Sequence, residues 1–196
     1  MQNNLPNPLL FRQARPAEQR ALEDLQRRAS LMLDEDRDWL IANPDAIELP
    51  VEQIYSGRVI VAERVAEQVA ERMAERINRV MGFAVVLRRD DGDGELDGLF
   101  VEPDAWRQGI GRALVDAAIT LALADGASSV WVIANSHAVD FYAACDFLMQ
   151  GEVPTQFRPA RQMRKMIRSD ISLAMTSGLN IDHAMLLSKL EARCVG

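Results

Sequence analysis

The sequence predicts a single domain of the α/β or α+β class, in which helices cover a mixed sheet. Segments whose apolar residues recur with helical spacing alternate with short, mostly β-branched runs along the 196 residues. Hydrophobic residues make up 48% of the chain and charged residues 26%, which is typical of a globular domain with a sizeable core.

The first third of the chain predicts a strand, two helices and a second strand. Residues 9–14 are strand-like, and a helical pattern follows Pro16, a residue favoured in the first turn of a helix. A second helix is predicted over residues 34–42. After two prolines, the run RVIVA at residues 58–62 predicts the next strand.

Residues 61–80 form a four-residue repeat, VAERVAEQVAERMAERINRV, which predicts an inserted helix over about 63–79. Four residues advance an α-helix by about 400°, so the apolar stripe drifts by about 40° per repeat and forms no coiled-coil seam. Two interpretations are open. The segment is either a surface helix with one covered side or a helix that binds a partner or dimerises.

The remainder of the chain predicts further strands and helices. The acidic turn DDGDG is interpreted as a hairpin turn and not as a calcium loop, because Arg89 and Phe100 would fall on the first and last ligand positions. The predicted strands are 82–89, 95–101, 129–134, 147–150 and 162–167, and the predicted helices begin near 110, 135 and 182.

Charge and cysteine content argue against several classes of protein. The net charge of −7 is not that of a nucleic-acid-binding domain. No secretory signal and no run of about 18 apolar residues is visible, so we expect a cytoplasmic protein that does not bind a membrane. Cys145 and Cys194 cannot form a disulfide framework or a zinc cluster, and we expect no metal. Cys145 is interpreted as a core residue and not as a nucleophile.

The segment WRQGIGRAL, residues 106–114, combines two glycines with the start of a helix. Without a Cβ at Gly109 and Gly111, the backbone can approach an anion closely, and the amides of the helix start face it. Arg107 and Arg112 add positive charge. A dinucleotide-binding fingerprint would need a third glycine, and a P-loop would need Gly-Lys-Ser/Thr, so a different anion-binding turn is predicted.

Two blocks make the chain resemble the GNAT superfamily of acyl-CoA-dependent N-acetyltransferases. In the first, a strand ends in Val-x-Pro and is followed by Gly-x-Gly; in the second, the pattern is Asn-x-x-Ala-x-x-Phe-Tyr. The matching residues are Val101, Pro103, Gly109, Ile110 and Gly111, then Asn135, Ala138, Phe141 and Tyr142. The resemblance implies a GNAT-like, mostly antiparallel mixed sheet flanked by helices, with an acetyltransferase domain over 1–168 and a C-terminal helical extension over 169–196.

The resemblance identifies the anion as the pyrophosphate of acetyl-CoA, the cosubstrate. It places the pantetheine arm in a cleft between the strand that ends at Val101 and the strand 130–134. For Asn135, capping of its turn is the alternative to cofactor binding. The implied cofactor-binding residues are Leu99, Phe100, Val101, Arg107, Gln108, Gly109, Ile110, Gly111, Arg112 and Asn135.

The resemblance also implies an acid and a base for direct attack of a primary amine on the acetyl group. Tyr142 matches the usual general acid, with a core aromatic as the alternative. Glu95 stands where family members often carry the base, although it could equally be an ordinary strand residue, and Asp97 is the second candidate. A non-catalytic acyl-CoA-binding or interaction module is the alternative function.

Two residues depart from the family pattern, and the remaining expectations concern the acceptor and the oligomeric state. Trp106 replaces a usual Arg or Gln, and Asp146 replaces a usual glycine, where aspartate tolerates a left-handed conformation. The acceptor, a small-molecule or peptide amine, would contact the first two helices around 28–42 and the last two strands. The acidic residues 34–36 and 38 could attract a cation or form a solvated surface, and Trp39 and Tyr55 could line a pocket or the core. The inserted and C-terminal helices predict a homodimer.

Overall fold

The computed structural model describes residues 9–66, 77–155 and 159–167, and a seven-stranded sheet lies at the centre of this part. The strands are β1 (Leu9–Gln13), β2 (Val59–Ala66), β3 (Ile77–Arg88), β4 (Gly94–Val101), β5 (Ser129–Ala134), β6 (Leu148–Val153) and β7 (Ala160–Met166). Their order is β1-β2-β3-β4-β5-β7-β6. Neighbouring strands pair antiparallel except β4 and β5, which are parallel.

Helices cover both faces of the sheet, and each face has its own buried cluster. The α-helices are α1 (Gln19–Ser30), α2 (Asp34–Ala42), α3 (Val51–Tyr55), α4 (Ile110–Ala124) and α5 (Val139–Ala144). Leu22 and Leu25 of α1 pack with Phe83 on one face, and Leu114 of α4 packs with Leu96 on the other. The predicted mixed, mostly antiparallel sheet flanked by helices is therefore confirmed.

The sequence patterns place most elements within a few residues of their observed bounds. The helix predicted over 34–42 and the strand predicted over 129–134 match α2 and β5. Helix α3 was not predicted, because five residues are too few to show a helical period. None of the helices in the described ranges is long and apolar enough to cross a bilayer.

The four-residue repeat is extended at both ends, so the inserted helix predicted over 63–79 is wrong for residues 63–66 and 77–79. β2 continues to Ala66, and Arg64 pairs with Arg79 of β3. Val61 and Ala62 are fully buried, and pairing with β1 and β3 bonds the backbone of this segment, so tertiary contacts override the helical period. Residues 67–76, and the extension predicted over 169–196, lie outside the described residues.

A partly buried arginine joins the start of α1 to the sheet. Arg12 of β1 bonds both oxygens of Glu18, at 2.9 and 2.7 Å, and also contacts Glu63 of β2 at 3.0 and 3.2 Å. The hydrogen bond from Arg12 lowers the pKa of Glu18, and Glu18 and then Glu63 raise the pKa of Arg12. Because Glu18 also accepts the backbone N–H of Arg15 at 2.7 Å, the orientation of α1 is set at its first turn.

The parallel strands β4 and β5 pair over two residues only. The paired residues are Gly94 with Val130 and Glu95 with Trp131. Beyond these pairs β4 continues to Val101 and β5 to Ala134 without pairing to one another. An opening therefore separates the carboxyl ends of the two strands.

Asp93, just before β4, fastens the closed end of this opening. Its carboxylate accepts hydrogen bonds from Ser129 Oγ at 2.5 Å, Trp131 Nε1 at 3.1 Å and Arg164 Nη2 at 3.3 Å. The backbone N–H groups of Ser128 and Ser129 donate to it at 3.2 and 3.0 Å. β4, β5 and β7 are thereby tied to one side chain.

Two guanidinium groups complete the cluster around Asp93. The guanidinium carbons of Arg89 and Arg164 each lie 4.9 Å from the centroid of the Trp131 ring, within cation–π range. Burial alone would raise the pKa of Asp93, but the hydrogen bonds from Ser129, Trp131 and the two amides outweigh it and lower the pKa to about 2.

We expect Asp93→Asn to destabilise the protein by about 2 kcal/mol at pH 7, because a neutral amide accepts weaker hydrogen bonds and directs an NH₂ group at other donors. The folded-state pKa is below the usual 3.8, so the carboxylate stabilises the fold above about pH 4. This contribution is lost as the pH falls to about 2.

Urea denaturation of wild type and variant between about pH 7 and about pH 2.5 measures both effects. The difference in stability should shrink towards the acidic end. Asp90→Asn, at an exposed position of the same turn, is the control and should change stability little. Equal stability of Asp93→Asn and wild type at pH 7 would contradict the role of Asp93.

Candidate active site

A cavity of about 1050 Å³ lies beside the end of β4 that does not pair with β5, and Asn135, the residue after β5, also lines it. Its walls come from the end of β4, the segment that leads into α4, the turn before α5, and the region of α1 and α2. The volume is at the upper end of the range for small-molecule sites, about 300–1,000 Å³.

The glycine turn at the start of α4 has the geometry of an anion site. Gly109 is the N-cap residue with a left-handed φ of +82°, and a Cβ built there would meet no atom within 4 Å. A Cβ on Gly111 would contact the ring of Phe141 at 3.3 Å, so this glycine permits close packing against α5. Gly109, Ile110, Gly111 and Arg112 line the cavity, and amides in the first turn of a helix have no intrahelical acceptor.

The cationic side chains of this turn lie on the same cavity. Arg107 and Arg112 both line it, and the Arg112 guanidinium donates to the carbonyl of Ala144. Arg107 has a φ of +62°, an uncommon conformation for a residue with a Cβ, so the chain is strained at this point. Positive charge is thus held beside the amides of α4.

Gln108 does not line the cavity, although it was predicted among the cofactor-binding residues. Its Oε1 accepts from Arg64 Nη2 at 2.8 Å, and its Nε2 donates to the carbonyl of Asp104 at 3.2 Å. Arg79 in turn donates to Asp104 Oδ2 at 2.9 Å. The paired ends of β2 and β3 therefore support the glycine turn from outside.

Trp106, the main departure from the family pattern, ties this turn to β4. Its Nε1 donates to the carbonyl of Val101 at 2.8 Å, and its ring lines the cavity while remaining 40% exposed. The indole thus bonds the main chain at a position where the family usually carries a polar side chain.

The end of β4 directs main-chain groups into the opening. The N–H of Glu102 donates to Met81 of β3 at 2.9 Å, and successive residues of a strand direct their N–H and C=O groups to opposite sides. The main-chain groups of Leu99 and Val101 therefore point away from β3, towards the opening. Leu99, Phe100 and Val101 all line the cavity, as predicted from the sequence.

Tyr142 and Asn135 line the cavity from the side of α5. Tyr142 is 6% exposed, and its ring contacts Phe141 and Phe147 edge to face, with centroids 5.1 and 5.5 Å away. Burial raises the pKa of Tyr142, so its hydroxyl stays protonated at neutral pH. Asn135 Oδ1 accepts the N–H of Ala138 at 3.0 Å, so Asn135 caps its turn as well as facing the cavity.

Comparison with known proteins agrees with this geometry. A model of the acetyltransferase (GNAT) family matches residues 48–147, just over half of the chain. The chain belongs to this family. Comparison with curated protein sequences gave no significant match.

Solved structures with the same fold include a GCN5-related N-acetyltransferase from Rhodopseudomonas palustris, with 20% identity and a TM-score of 0.61 over 80% of this chain and 94% of that one. The N-acetyltransferase PaiA from Thermoplasma acidophilum, in complex with coenzyme A, has 16% identity and a TM-score of 0.60 over 81% and 99%. A putative acetyltransferase from Salmonella typhimurium, with acetyl-CoA, has 16% identity and a TM-score of 0.58 over 82% and 94%.

The structure does not bring Glu95, the predicted base of this GNAT protein, into the cavity. Glu95 lies at the closed end of the opening, beside its partner Trp131, and accepts from Arg89 Nη1 at 3.4 Å. It stands four residues before Leu99, roughly 13 Å along an extended strand. Its contacts are those of a strand residue in an ion pair.

Asp97, the second candidate base, lies at a bulge and not on a regular strand. Val86 pairs with Leu96 and Val85 with Gly98, so Asp97 is the extra residue of β4. The expectation that Asp97 faces the same side as Glu95 assumed a regular strand and does not hold across the bulge. The Asp97 side chain is exposed, yet surrounding protein partly desolvates it, and this desolvation raises its pKa.

Two further residues of the second family block have structural roles. Asp146 adopts the left-handed conformation expected where the family carries glycine, with a φ of +66°. Cys145 is buried, and burial raises the pKa of its thiol, which makes it a poor nucleophile. The described ranges contain no group of three or more His, Cys, Asp or Glu residues that could hold a metal ion.

The resemblance places the acceptor against the first two helices, and residues of α1 and α2 do line the cavity, but the sequence did not show which apolar residues form this wall. Apolar residues such as Leu33, Leu40 and Ile47 have the same pattern whether they face a core or a cavity. Sequence reasoning also missed Asp93, whose position as the last acid of DDGDG is the one available signal.

We expect Gly109→Ala to destabilise the protein by about 1 kcal/mol, because alanine must adopt the left-handed conformation at this position. Urea denaturation measures the change. Gly151→Ala is the matched control, since Gly151 lies outside the positive-φ region and a Cβ there meets nothing within 4 Å. Equal effects of the two substitutions would show that the turn does not depend on a left-handed residue.

Proposed function

We propose that this GNAT protein transfers an acetyl group from acetyl-CoA to a primary amine by direct attack. The observation that carries the proposal is the single cavity in which the glycine turn of α4, the open edge of β4 and Tyr142 meet. Two of the structures with the same fold contain coenzyme A or acetyl-CoA, which supports this cosubstrate. The glycine turn would hold the diphosphate of an extended cosubstrate, and the open segment of β4 would hold its pantetheine arm.

The residues around the glycine turn fit a diphosphate. The first-turn amides of the 15-residue helix α4 and its dipole favour an anion, and Arg107 and Arg112 supply two positive charges. The N–H and C=O of Leu99 and the N–H of Val101 can bond the amides of a pantetheine arm, while the Val101 carbonyl accepts from Trp106. The thioester of the bound cosubstrate supplies an activated acetyl group.

The open edge of β4 and Tyr142 supply the groups that acyl transfer needs. As the amine attacks the thioester carbonyl, an N–H of Leu99 or Val101 stabilises the developing oxyanion. When the C–S bond breaks, Tyr142 donates its proton to the departing thiolate. Since burial raises the pKa of Tyr142, its hydroxyl is protonated at neutral pH and can act as a donor.

For the base we propose Asp97 in place of Glu95. Asp97 stands two residues before Leu99 in the open part of β4, although neither Asp97 nor Glu95 lines the cavity. Desolvation raises the pKa of the Asp97 carboxyl and so makes its carboxylate a stronger base. Glu95 is engaged by Arg89 at the closed end. The ammonium proton passes to Asp97 through water.

The test of the proposed function is a thermal shift with acetyl-CoA followed by a thiol-release screen of primary amines. We expect acetyl-CoA to raise the melting temperature and free thiol to accumulate with a suitable amine. Binding without thiol release across a broad panel would favour the non-catalytic acyl-CoA-binding module. Absence of any thermal shift would contradict both functions.

We expect Tyr142→Phe to lower kcat by about 10²-fold while the KM for acetyl-CoA changes less than about twofold, because only proton donation is removed. Steady-state kinetics with thiol detection measures both constants. Tyr55→Phe is the control, since Tyr55 is 73% exposed and lies outside the cavity. An unchanged kcat in Tyr142→Phe would remove this residue from the mechanism.

We expect Asp97→Asn to lower kcat/KM by about 10²-fold at neutral pH and to abolish the acidic limb of the pH profile assigned to Asp97. Glu95→Gln should keep kcat/KM within about threefold of wild type, because the Glu95 carboxylate forms an ion pair with Arg89 whose loss costs roughly 1 kcal/mol or less of stability. The reverse result, with Glu95→Gln inactive and Asp97→Asn active, would restore Glu95 as the base.

Two expectations from the sequence stay predictions. The homodimer was predicted from the inserted and C-terminal helices, and residues 67–76 and 169–196 lie outside the described part of the chain. The cytoplasmic location rests on the sequence alone.

A further inference from the structure

The wall of the cavity formed by the region of α1 and α2 consists of uncharged side chains. From this we propose that the acceptor is a monoamine with an apolar body, alkyl or aromatic, and not a polyamine or another polycation. The inference rests on the proposed function, because it concerns the second substrate of the same site. It assigns the chemical class of that substrate.

The wall formed by the region of α1 and α2 is apolar where an acceptor would lie. Ala29 of α1, Leu40 of α2 and Ile47 after α2 line the cavity and are 7–8% exposed. Leu33 lines the cavity between the two helices, and the Trp39 ring adds a partly exposed aromatic surface. These residues form a hydrophobic surface suited to an alkyl or aromatic group.

The polar groups on this wall are neutral. Gln26 and Ser30 lie one helical turn apart on α1, and both line the cavity. They can bond one uncharged polar group of a substrate but cannot balance a second ammonium group.

Charged side chains of the lining lie elsewhere. Arg107 and Arg112 belong to the glycine turn, and Asp140 lies in the first turn of α5. Asp34 and Asp38 of α2 are exposed and do not line the cavity, and Asp34 is paired with Arg37 at 3.0 Å. These two acids of α2 therefore do not provide the cation-attracting surface that the sequence suggested.

The wall is held in place before any acceptor binds. Arg28 of α1 bonds both oxygens of the buried Glu102, at 2.6 and 3.2 Å, and so joins α1 to the end of β4. Arg37 Nε donates to the carbonyl of Leu31 at 2.7 Å, and Arg27 donates to the carbonyl of Pro44. The apolar surface is thus a preformed part of the site.

An apolar wall has two effects on an amine. Desolvation lowers the pKa of a bound ammonium group, which favours the neutral amine that attacks the thioester. A second ammonium group on the same molecule would lose its hydration without a carboxylate partner on this wall. The wall therefore selects for one amino group on an apolar body.

A matched pair of amines, 1-aminohexane and 1,6-diaminohexane, tests the inference. The two share a six-carbon chain and differ by one amino group, and thiol release with acetyl-CoA as donor gives kcat/KM for each. We expect kcat/KM to be at least about 100-fold higher for the monoamine, since an unpaired buried charge is strongly disfavoured. A similar or higher value for the diamine would overturn the inference while leaving the proposed function intact.

Variants of the wall make the test residue-specific. Trp39→Ala should raise the KM for 2-phenylethylamine at least about tenfold, the scale of a lost aromatic contact, with the KM for acetyl-CoA unchanged. Ile41→Ala is the control on the same helix, because Ile41 is 64% exposed and does not line the cavity. Leu33→Asp should shift the preference towards 1,6-diaminohexane by supplying a carboxylate.

The outcomes separate the inference from the proposed function. An unchanged KM in Trp39→Ala, in a variant that still melts cooperatively, would contradict the acceptor position proposed for this wall. Binding of acetyl-CoA with no thiol release from either amine, from 2-phenylethylamine or from a wider panel would contradict the proposed function and the inference together.

Discussion

The site depends on the hydrogen bonds that the carboxylate of Asp93 accepts. Five hydrogen-bond donors from β5, β7 and the residue before β5 converge on it, and they hold β4 and β5 together at one end only. Parallel pairing then stops after Glu95 and Trp131. Because β4 continues to Val101 paired with β3 but not with β5, its free edge faces a cavity instead of another strand. The turn that carries Asp93 thus determines where the substrate site can form.

Side-chain contacts at the other end of β4 fix the walls of the cavity. Arg28 joins α1 to Glu102, Trp106 bonds the carbonyl of Val101, and Arg64 bonds Gln108 of the glycine turn. Each contact comes from a different part of the chain. Together they place the anion-binding amides of α4 and the apolar wall of α1 and α2 around one strand end.

Much of the fold and of the cosubstrate side of the site could be predicted, because local patterns specify them. The helical period of α2 and α4, the buried run of β5 and the glycines of the turn leave direct traces in the sequence. Tyr142 could be identified as a site residue from the short pattern Asn-x-x-Ala-x-x-Phe-Tyr, which follows the glycine turn in the chain. These features depend on residues that are close together in the chain.

The features that could not be predicted depend on pairing between distant residues. The repeat at 61–80 has a helical period, but its described ends belong to strands β2 and β3. Val61 and Ala62 are buried there, and the backbone of β2 pairs with β1 and β3. The bulge at Asp97 changes which side chains share a face, and no local pattern announces it. The apolar residues of the acceptor wall have the same pattern as a core.

Hydrogen–deuterium exchange with and without coenzyme A tests whether the start of α4 and the open edge of β4 bind the cosubstrate. We expect slower exchange at the amides of residues 110–112 and of Leu99 and Val101, with exchange in β1 unchanged. Bound coenzyme A that leaves the amides of residues 110–112 unprotected, or protects a different surface, would contradict this mode of binding.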